Sequence, residues 1–161
     1  HSFPTRRSSD LFMELVDRLR TGIPEISIAT DIITGFPGET DEDHQMTMDL
    51  VRNLHADTLN ITRFSSRPGT KAANMEQLHG RILKERSTEL TELKNEVEYN
   101  INKRLIGQTF RSLATEVGKE GTIVRTGYYR PVVIRDNIPL GEFVDVEVTD
   151  CRSTYLMGQK L

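Results

Sequence analysis

A chain of 161 residues carries 21 Lys+Arg against 24 Asp+Glu, a formal net charge of −3, with 36% hydrophobic and 6% aromatic residues, no Trp and one cysteine. At ~100–200 residues per domain there is room for one sizeable core or two small ones, and 28% charged residues with ordinary Gly and Pro exclude a disordered chain. No apolar run approaches the ~18 residues of a membrane span, no secretory h-region opens the chain, and near-balanced charge denies it the overall positive field of a strong nucleic-acid binder, so the composition points to a folded cytoplasmic protein that does not engage a membrane.

The first eleven residues, HSFPTRRSSDL, stand apart. Their back-translation resembles a widely used short-read sequencing adapter, which sets residues 1–11 outside fold reasoning and starts the natural chain near Phe12. The expectation is a C-terminal piece of a longer protein.

From Phe12 to Leu19 the apolar residues fall at 12, 15, 16 and 19, one face of a helix that Gly22-Ile23-Pro24 ends. Residues 25–36, EISIATDIITGF, are β-branched and almost continuously apolar, which predicts a parallel strand covered on both faces. Pro37-Gly38-Glu39 makes a turn, Thr40 and Asp43 have the spacing of a capping box, and positions 44, 47, 48, 51 and 54 form the buried face of the following helix. His44 is out of place on that face; His55 and His79 read as surface residues. Thr58 to Phe64 reads as a second strand, closed by the turn residues 65–70. Strand, helix and strand with short connections make a right-handed βαβ unit of a parallel sheet.

Residues 80–105 form an amphipathic helix with apolar positions 83, 90, 93, 97, 101 and 105, covering the sheet and then serving as a linker that Gly107 ends. Beyond it, β-rich runs at 109–117, 121–126, 130–135, 142–149 and 153–157 are separated by glycines and Asp136-Asn137, the pattern of a five-stranded small barrel. The domain boundary falls at 103–108, dividing residues 12–105 from residues 107–161.

Two places carry chemistry. Residues 31–40, DIITGFPGET, put glycines and a capped helix start at the carboxyl end of a parallel strand, where α/β proteins bind ligands; alternatively, Gly35 and Gly38 serve only the turn and Asp31 only local hydrogen bonds. In the second, Arg125, Tyr128, Tyr129, Arg130 and Arg135 gather around one hairpin, the guanidinium and aromatic surfaces with which small barrels hold phosphates and stack bases. Within 107–161 seven basic residues are balanced by seven acidic ones, so RNA binding there requires the charges to segregate onto one face. The lone thiol, Cys151, makes no internal disulfide and no Cys-rich metal site, and reads as a core residue.

The motifs DIITGFPGET, ITRFSSRPGTKAA at 61–73 and GRILKERSTEL at 80–90 resemble the final strands of the catalytic barrel of radical S-adenosylmethionine tRNA methylthiotransferases, and the runs at 122–134 and RSTYLMG at 152–158 resemble the TRAM domain that follows it. The resemblance implies an α/β plus β architecture: the last βα units of a partial TIM-like barrel, a linker helix, then an OB-like TRAM barrel. It implies an enzyme that adds a methylthio group to C2 of N6-threonylcarbamoyladenosine beside the anticodon, using S-adenosylmethionine and two [4Fe–4S] clusters, with tRNA as partner and the protein a monomer. The cluster cysteines of that family precede this region and the CxxxCxxC signature is absent from the sequence, so the chain alone is expected to be inactive. In such enzymes the fifth strand flanks the adenine of the cofactor. Ile33 and Gly35 match that pattern, Asp31 stands where its first glycine would be, and the pattern's Glu is displaced to Glu39. Phe64, Ser65 and Arg67 end the sixth strand on the same rim. Two alternatives share the sequence features: a methylthiotransferase acting on N6-isopentenyladenosine or a ribosomal protein, and a non-catalytic TRAM-type RNA-binding protein opening at a start such as Met13.

Overall fold

The computed structural model describes residues 6–161, with side chains from Ser9 onward. It divides into two compact units that meet in sequence at Lys94/Asn95; each is described by itself. Of the eleven residues set aside, 1–5 lie outside the described residues. Helix α1 spans Arg6–Gly22, so it starts six residues ahead of the predicted Phe12. Downstream of Pro4 nothing in RRSSDL breaks a helix, and an existing helix end extends more easily than it nucleates.

Strand β1, Ala29–Thr34, pairs in parallel with β2, Thr58–Arg63, in the register Asp31↔Asn60 and Ile33↔Thr62. Between them α2, Asp41–Leu54, opens on the expected capping box: the Thr40 hydroxyl accepts from the Asp43 amide at 3.1 Å, and the Asp43 carboxylate accepts from the Thr40 amide at 2.9 Å. Val51, Leu54, Ala56 and Leu59 are fully buried. One expectation is corrected here. The strand is six residues long and covered on one face only: Thr34 is buried and Ile32 half-buried, whereas Ala29, Asp31 and Ile33 are exposed. An apolar run does not distinguish a covered face from one that stands open, and Asp31 was the residue that marked the open side.

After β2 the chain makes a 3-10 turn, Lys71–Asn74, capped by Thr70, in a stretch read from sequence as a plain turn and connection. Helix α3 then runs Gly80–Lys103, with Leu90, Leu93 and Val97 buried along its apolar stripe. It begins in the first unit and ends in the second.

The second unit is a closed barrel with strand order β3-β4-β5-β7-β6. The strands are β3 (Thr109–Gly118), β4 (Gly121–Thr126), β5 (Pro131–Ile134), β6 (Phe143–Cys151) and β7 (Leu156–Lys160). All neighbours are antiparallel except β5 and β7, which run parallel. Inward residues alternate along each strand, and Val124, Val132, Ile134, Val146, Cys151 and Leu156 are fully buried in one cluster. Each such aliphatic side chain contributes about 1.5–3 kcal/mol on burial. The last strand lies three residues later than its predicted start. The Arg152 amide donates to the Tyr155 carbonyl at 2.8 Å, so Ser153 and Thr154, both compatible with a strand, form a turn instead.

Candidate functional site

The first candidate region lies at the carboxyl end of β1. Gly35 sits at φ +81°, and a Cβ there would stand 2.6 Å from Leu83 Cδ2 on α3, so close helix approach and backbone conformation both require glycine. The loop beyond it is organised by Glu39. Its buried carboxylate accepts from the backbone N–H of Gly35 at 2.5 Å and of Phe36 at 3.1 Å, and from the Thr34 hydroxyl at 3.4 Å. Arg86 of α3 closes the cluster, donating at 3.0 Å to both the Glu39 carboxylate and the Glu39 carbonyl, and at 2.7 Å to Asp41. His44, the residue out of place on the apolar face, is buried beside this cluster and bonds Glu89 of α3 at 2.9 Å through Nε2.

The predicted residues distribute around that frame. Asp31 and Ile33 share the open face of the sheet, where Asp31 accepts from Asn60 at 2.8 Å and Ile33 is 62% exposed. Phe64 continues β2, its amide bonded to the Thr34 carbonyl at 2.8 Å and its ring edge-on to Phe36 at 5.0 Å. Ser65 and Arg67 are exposed, and the Arg67 carbonyl caps the turn by accepting from the Thr70 hydroxyl at 2.8 Å. Asp31 and Ile33 therefore stand together on one face, Gly35 and Phe64 at its end, and Ser65 and Arg67 on the loop that follows. Glu39 and Arg86 as the pair that fixes the loop were missed by sequence reading; the signal was a Glu within reach of two glycine-turn amides. His55 caps α2 in the left-handed region at φ 48° and His79 is exposed, as expected of surface residues.

The second region is the β4–β5 hairpin. The Thr126 amide donates to the Arg130 carbonyl and the Arg130 amide to the Thr126 hydroxyl to close it, and Tyr129 adopts φ 64°, rare for a residue with a bulky side chain. The Arg125 guanidinium lies 4.5 Å from the centroid of the Tyr129 ring and bonds Glu116 at 2.9 Å. Tyr129 as a residue is 74% exposed. Tyr128 turns the other way, edge-on to Phe110 at 6.4 Å. Arg130 bonds the Asn102 side-chain oxygen, while the Asn102 amide donates at 2.8 Å to the carbonyls of Arg152 and Ser153. Arg135 is exposed after β5. Of the five, Arg125 and Tyr129 form one unit, Tyr128 and Arg130 brace the hairpin, and Arg135 stands separately.

The single cysteine, Cys151, is fully buried in the barrel, as expected. Burial pushes its thiol pKa up, and the neighbouring Asp150 carboxylate adds to that. Among the described residues no cluster of His, Cys, Asp and Glu could hold a metal ion, and an iron–sulfur cluster takes several thiolates, so these residues do not fit such a group. No helix among them is long and apolar enough to cross a membrane.

Residues 103–161 match the TRAM domain family. The chain is 42% identical over 149 residues to the probable threonylcarbamoyladenosine tRNA methylthiotransferase of Archaeoglobus fulgidus, covering 92% of this chain and 35% of that protein. It is 39% identical over 153 residues to the threonylcarbamoyladenosine tRNA methylthiotransferase of Danio rerio, covering 93% and 28%. To the tRNA-2-methylthio-N(6)-dimethylallyladenosine synthase of Fusobacterium nucleatum it is 32% identical over 157 residues, covering 94% and 36%. The chain thus spans about a third of the length of the curated relatives it matches. With a closed five-stranded barrel inside the match, residues 103–161 form a TRAM domain, and the chain is similar along nearly its whole length to tRNA methylthiotransferases.

Proposed function

We propose that this chain is the C-terminal part of a radical S-adenosylmethionine tRNA methylthiotransferase that modifies C2 of N6-threonylcarbamoyladenosine. In that reading residues 12–105 are the last βα units of a partial TIM-like barrel with its linker helix, and 107–161 bind the tRNA. The observation that carries it is the open face of the β1–β2 pair. Ala29, Asp31, Ile33, Thr58, Asn60 and Thr62 are all exposed on a parallel sheet, although such sheets are normally buried on both faces, and two strands do not make a stable sheet alone. An upstream part of the same protein, with further strands and the cluster cysteines, would complete that surface.

S-adenosylmethionine, when bound, supplies the radical-forming and methyl-donating chemistry. The residues here fit one wall of its site: Ile33 offers an apolar contact for adenine, Asp31 and Asn60 a polar pair, and Gly35, held by Glu39 and packed against Leu83, fixes the end of the strand that carries them. Phe64, Ser65 and Arg67 would extend that wall. The two [4Fe–4S] clusters would be held by the upstream part. Arg125, Tyr128, Tyr129, Arg130 and Arg135 would form the tRNA-binding surface. The protein would act in the cytoplasm as a monomer.

The preference for the threonylcarbamoyl substrate rests on the higher identity to relatives named for it, 42% and 39%, than to the dimethylallyladenosine synthase at 32%. Sequencing the gene upstream of Phe12 tests the enzyme reading: a continuing frame with a CxxxCxxC motif supports it, and a frame opening at Met13 overturns it. For the RNA side, Arg125→Ala is expected to weaken tRNA binding and lower its salt slope by roughly one unit; an unchanged slope and affinity would remove Arg125 from the interface.

A further inference from the structure

The outward face of the barrel carries a second arginine–aromatic pair that matches the one at the hairpin. Arg111 of β3 lies over the ring of Phe143 at the start of β6, 5.1 Å from its centroid. The registers place the two pairs in one row. Leu113 of β3 is opposite Arg125 on β4 and opposite Phe143 on β6. Adjacent strands stand about 5 Å apart, so Arg125 and Phe143 flank Leu113 across about 10 Å. The order around the barrel is therefore Tyr129, Arg125, Leu113, Phe143, with Arg111 covering part of the last ring.

Three features mark this row as a binding surface. Phe143 is 62% exposed and Tyr129 74%, large π surfaces left in water on a barrel whose core is otherwise filled. Tyr129 is held in a left-handed backbone conformation that presents its ring at the hairpin tip, and such outliers cluster at functional positions. Both guanidinium groups also lie against their rings, with Leu113 half-buried between Arg125 and Phe143; Arg125 is further held by Glu116 at 2.9 Å, and Asp145 stands opposite Arg111 in the β3–β6 register.

Resting on the RNA-binding reading of the barrel, we propose that Arg111 and Phe143 form a second base-stacking platform, so that the barrel takes two unpaired bases of single-stranded RNA, one at Tyr129 and one at Phe143, across Leu113. Unpaired bases fit because every base has a π face, and aromatic rings with fixed guanidinium groups hold them with little sequence preference. A duplex keeps its bases stacked internally and offers none to the rings.

The test uses the 161-residue chain and a fluorescein-labelled RNA stem-loop with an unpaired loop, together with the same loop carrying 2-aminopurine, whose fluorescence falls on stacking. Phe143→Ala is expected to weaken stem-loop binding about 5- to 150-fold, the range for loss of one stacked base, and to relieve part of the quenching. Phe143→Leu, which keeps apolar bulk and protects the fold, is expected to lose as much. Val117→Ala, which removes an equally exposed apolar side chain at the far end of β3, is expected to bind as the unaltered chain does. If Phe143→Leu and Arg111→Ala both bind and quench normally while Tyr129→Ala does not, the second platform is overturned and the RNA-binding reading stands. If the unaltered chain binds neither RNA, both fall together.

Discussion

Arg86 of α3 donates to both the carbonyl and the carboxylate of Glu39, 47 residues earlier in the chain, and both side chains are more than nine-tenths buried. The pair ties the loop after β1 to the helix that covers it. Replacing Arg86 by Met would leave a carboxylate buried beside amide donors that satisfy only part of its charge. Breaking a buried pair in this way costs about 3–5 kcal/mol. Urea unfolding followed by a probe in the first unit should show that loss. Arg86→Met combined with Glu39→Gln should recover part of it, and a double variant no more stable than Arg86→Met would argue against coupling between the two.

Gly35→Ala meets two separate obstacles, the φ of +81° and the 2.6 Å approach of its Cβ to Leu83. A non-glycine residue in that backbone region costs about 1–3 kcal/mol. Leu83→Ala should relieve the steric part and leave the backbone part. Equal destabilisation by Gly35→Ala in both backgrounds would show that the helix gives way freely.

The Cys151 thiol is buried, and burial followed by the Asp150 carboxylate raises its pKa. A thiol whose folded pKa lies above its unfolded value gives stability that is complete below the unfolded pKa and declines as pH rises through the interval to the folded one. The chain should therefore lose stability on the alkaline side, and Cys151→Ser should flatten that limb. Modification by a thiol-specific disulfide reagent should proceed only as fast as the barrel opens; rapid labelling of the folded chain would contradict the buried assignment.

Asp150 behaves oppositely. Its carboxylate accepts from the Cys151 amide at 2.8 Å and pairs with Arg152 at 2.9 Å, and these hold its pKa below the usual carboxylate value. Its stabilising effect is complete above the unfolded carboxyl pKa and lost as pH falls through the folded one. Asp150→Asn should remove that contribution from the acid limb of a pH–melting profile. An acid limb identical to the unaltered chain would show that the amide bond contributes nothing.

How far the sequence spoke depended on how far apart the partners are. Thr40 and Asp43 are three residues apart, and the capping box was legible in full. The barrel was legible in its number of strands because glycines and Asp136-Asn137 punctuate short alternating runs. Its last strand was misplaced because Ser153 and Thr154 suit a strand as well as the turn they make. Arg86 gave no signal: an arginine on a charged helix face reads as solvated, and its burial depends on a carboxylate 47 residues away. Asn102 gave none either, since an amide near a helix end does not announce that it gathers Arg130, Arg152 and Ser153. The open face of β1 was masked by its apolar run, which suits a covered strand and an open one equally well, and only Asp31 marked the open side.

The parallel partnership of β5 and β7 has a temporal meaning. β7 is the last strand in chain order, yet it fills the gap between β5 and β6, with Leu156 beside both Val132 and Cys151. During synthesis β3, β4, β5 and β6 leave the ribosome before the strand that closes them, and the inward side chains of β5 and β6 stay wettable until residues 156–160 emerge. The barrel therefore closes only after its last strand has emerged, and a ribosome stalled a few codons short of it would hold an open sheet for chaperones or proteases to find.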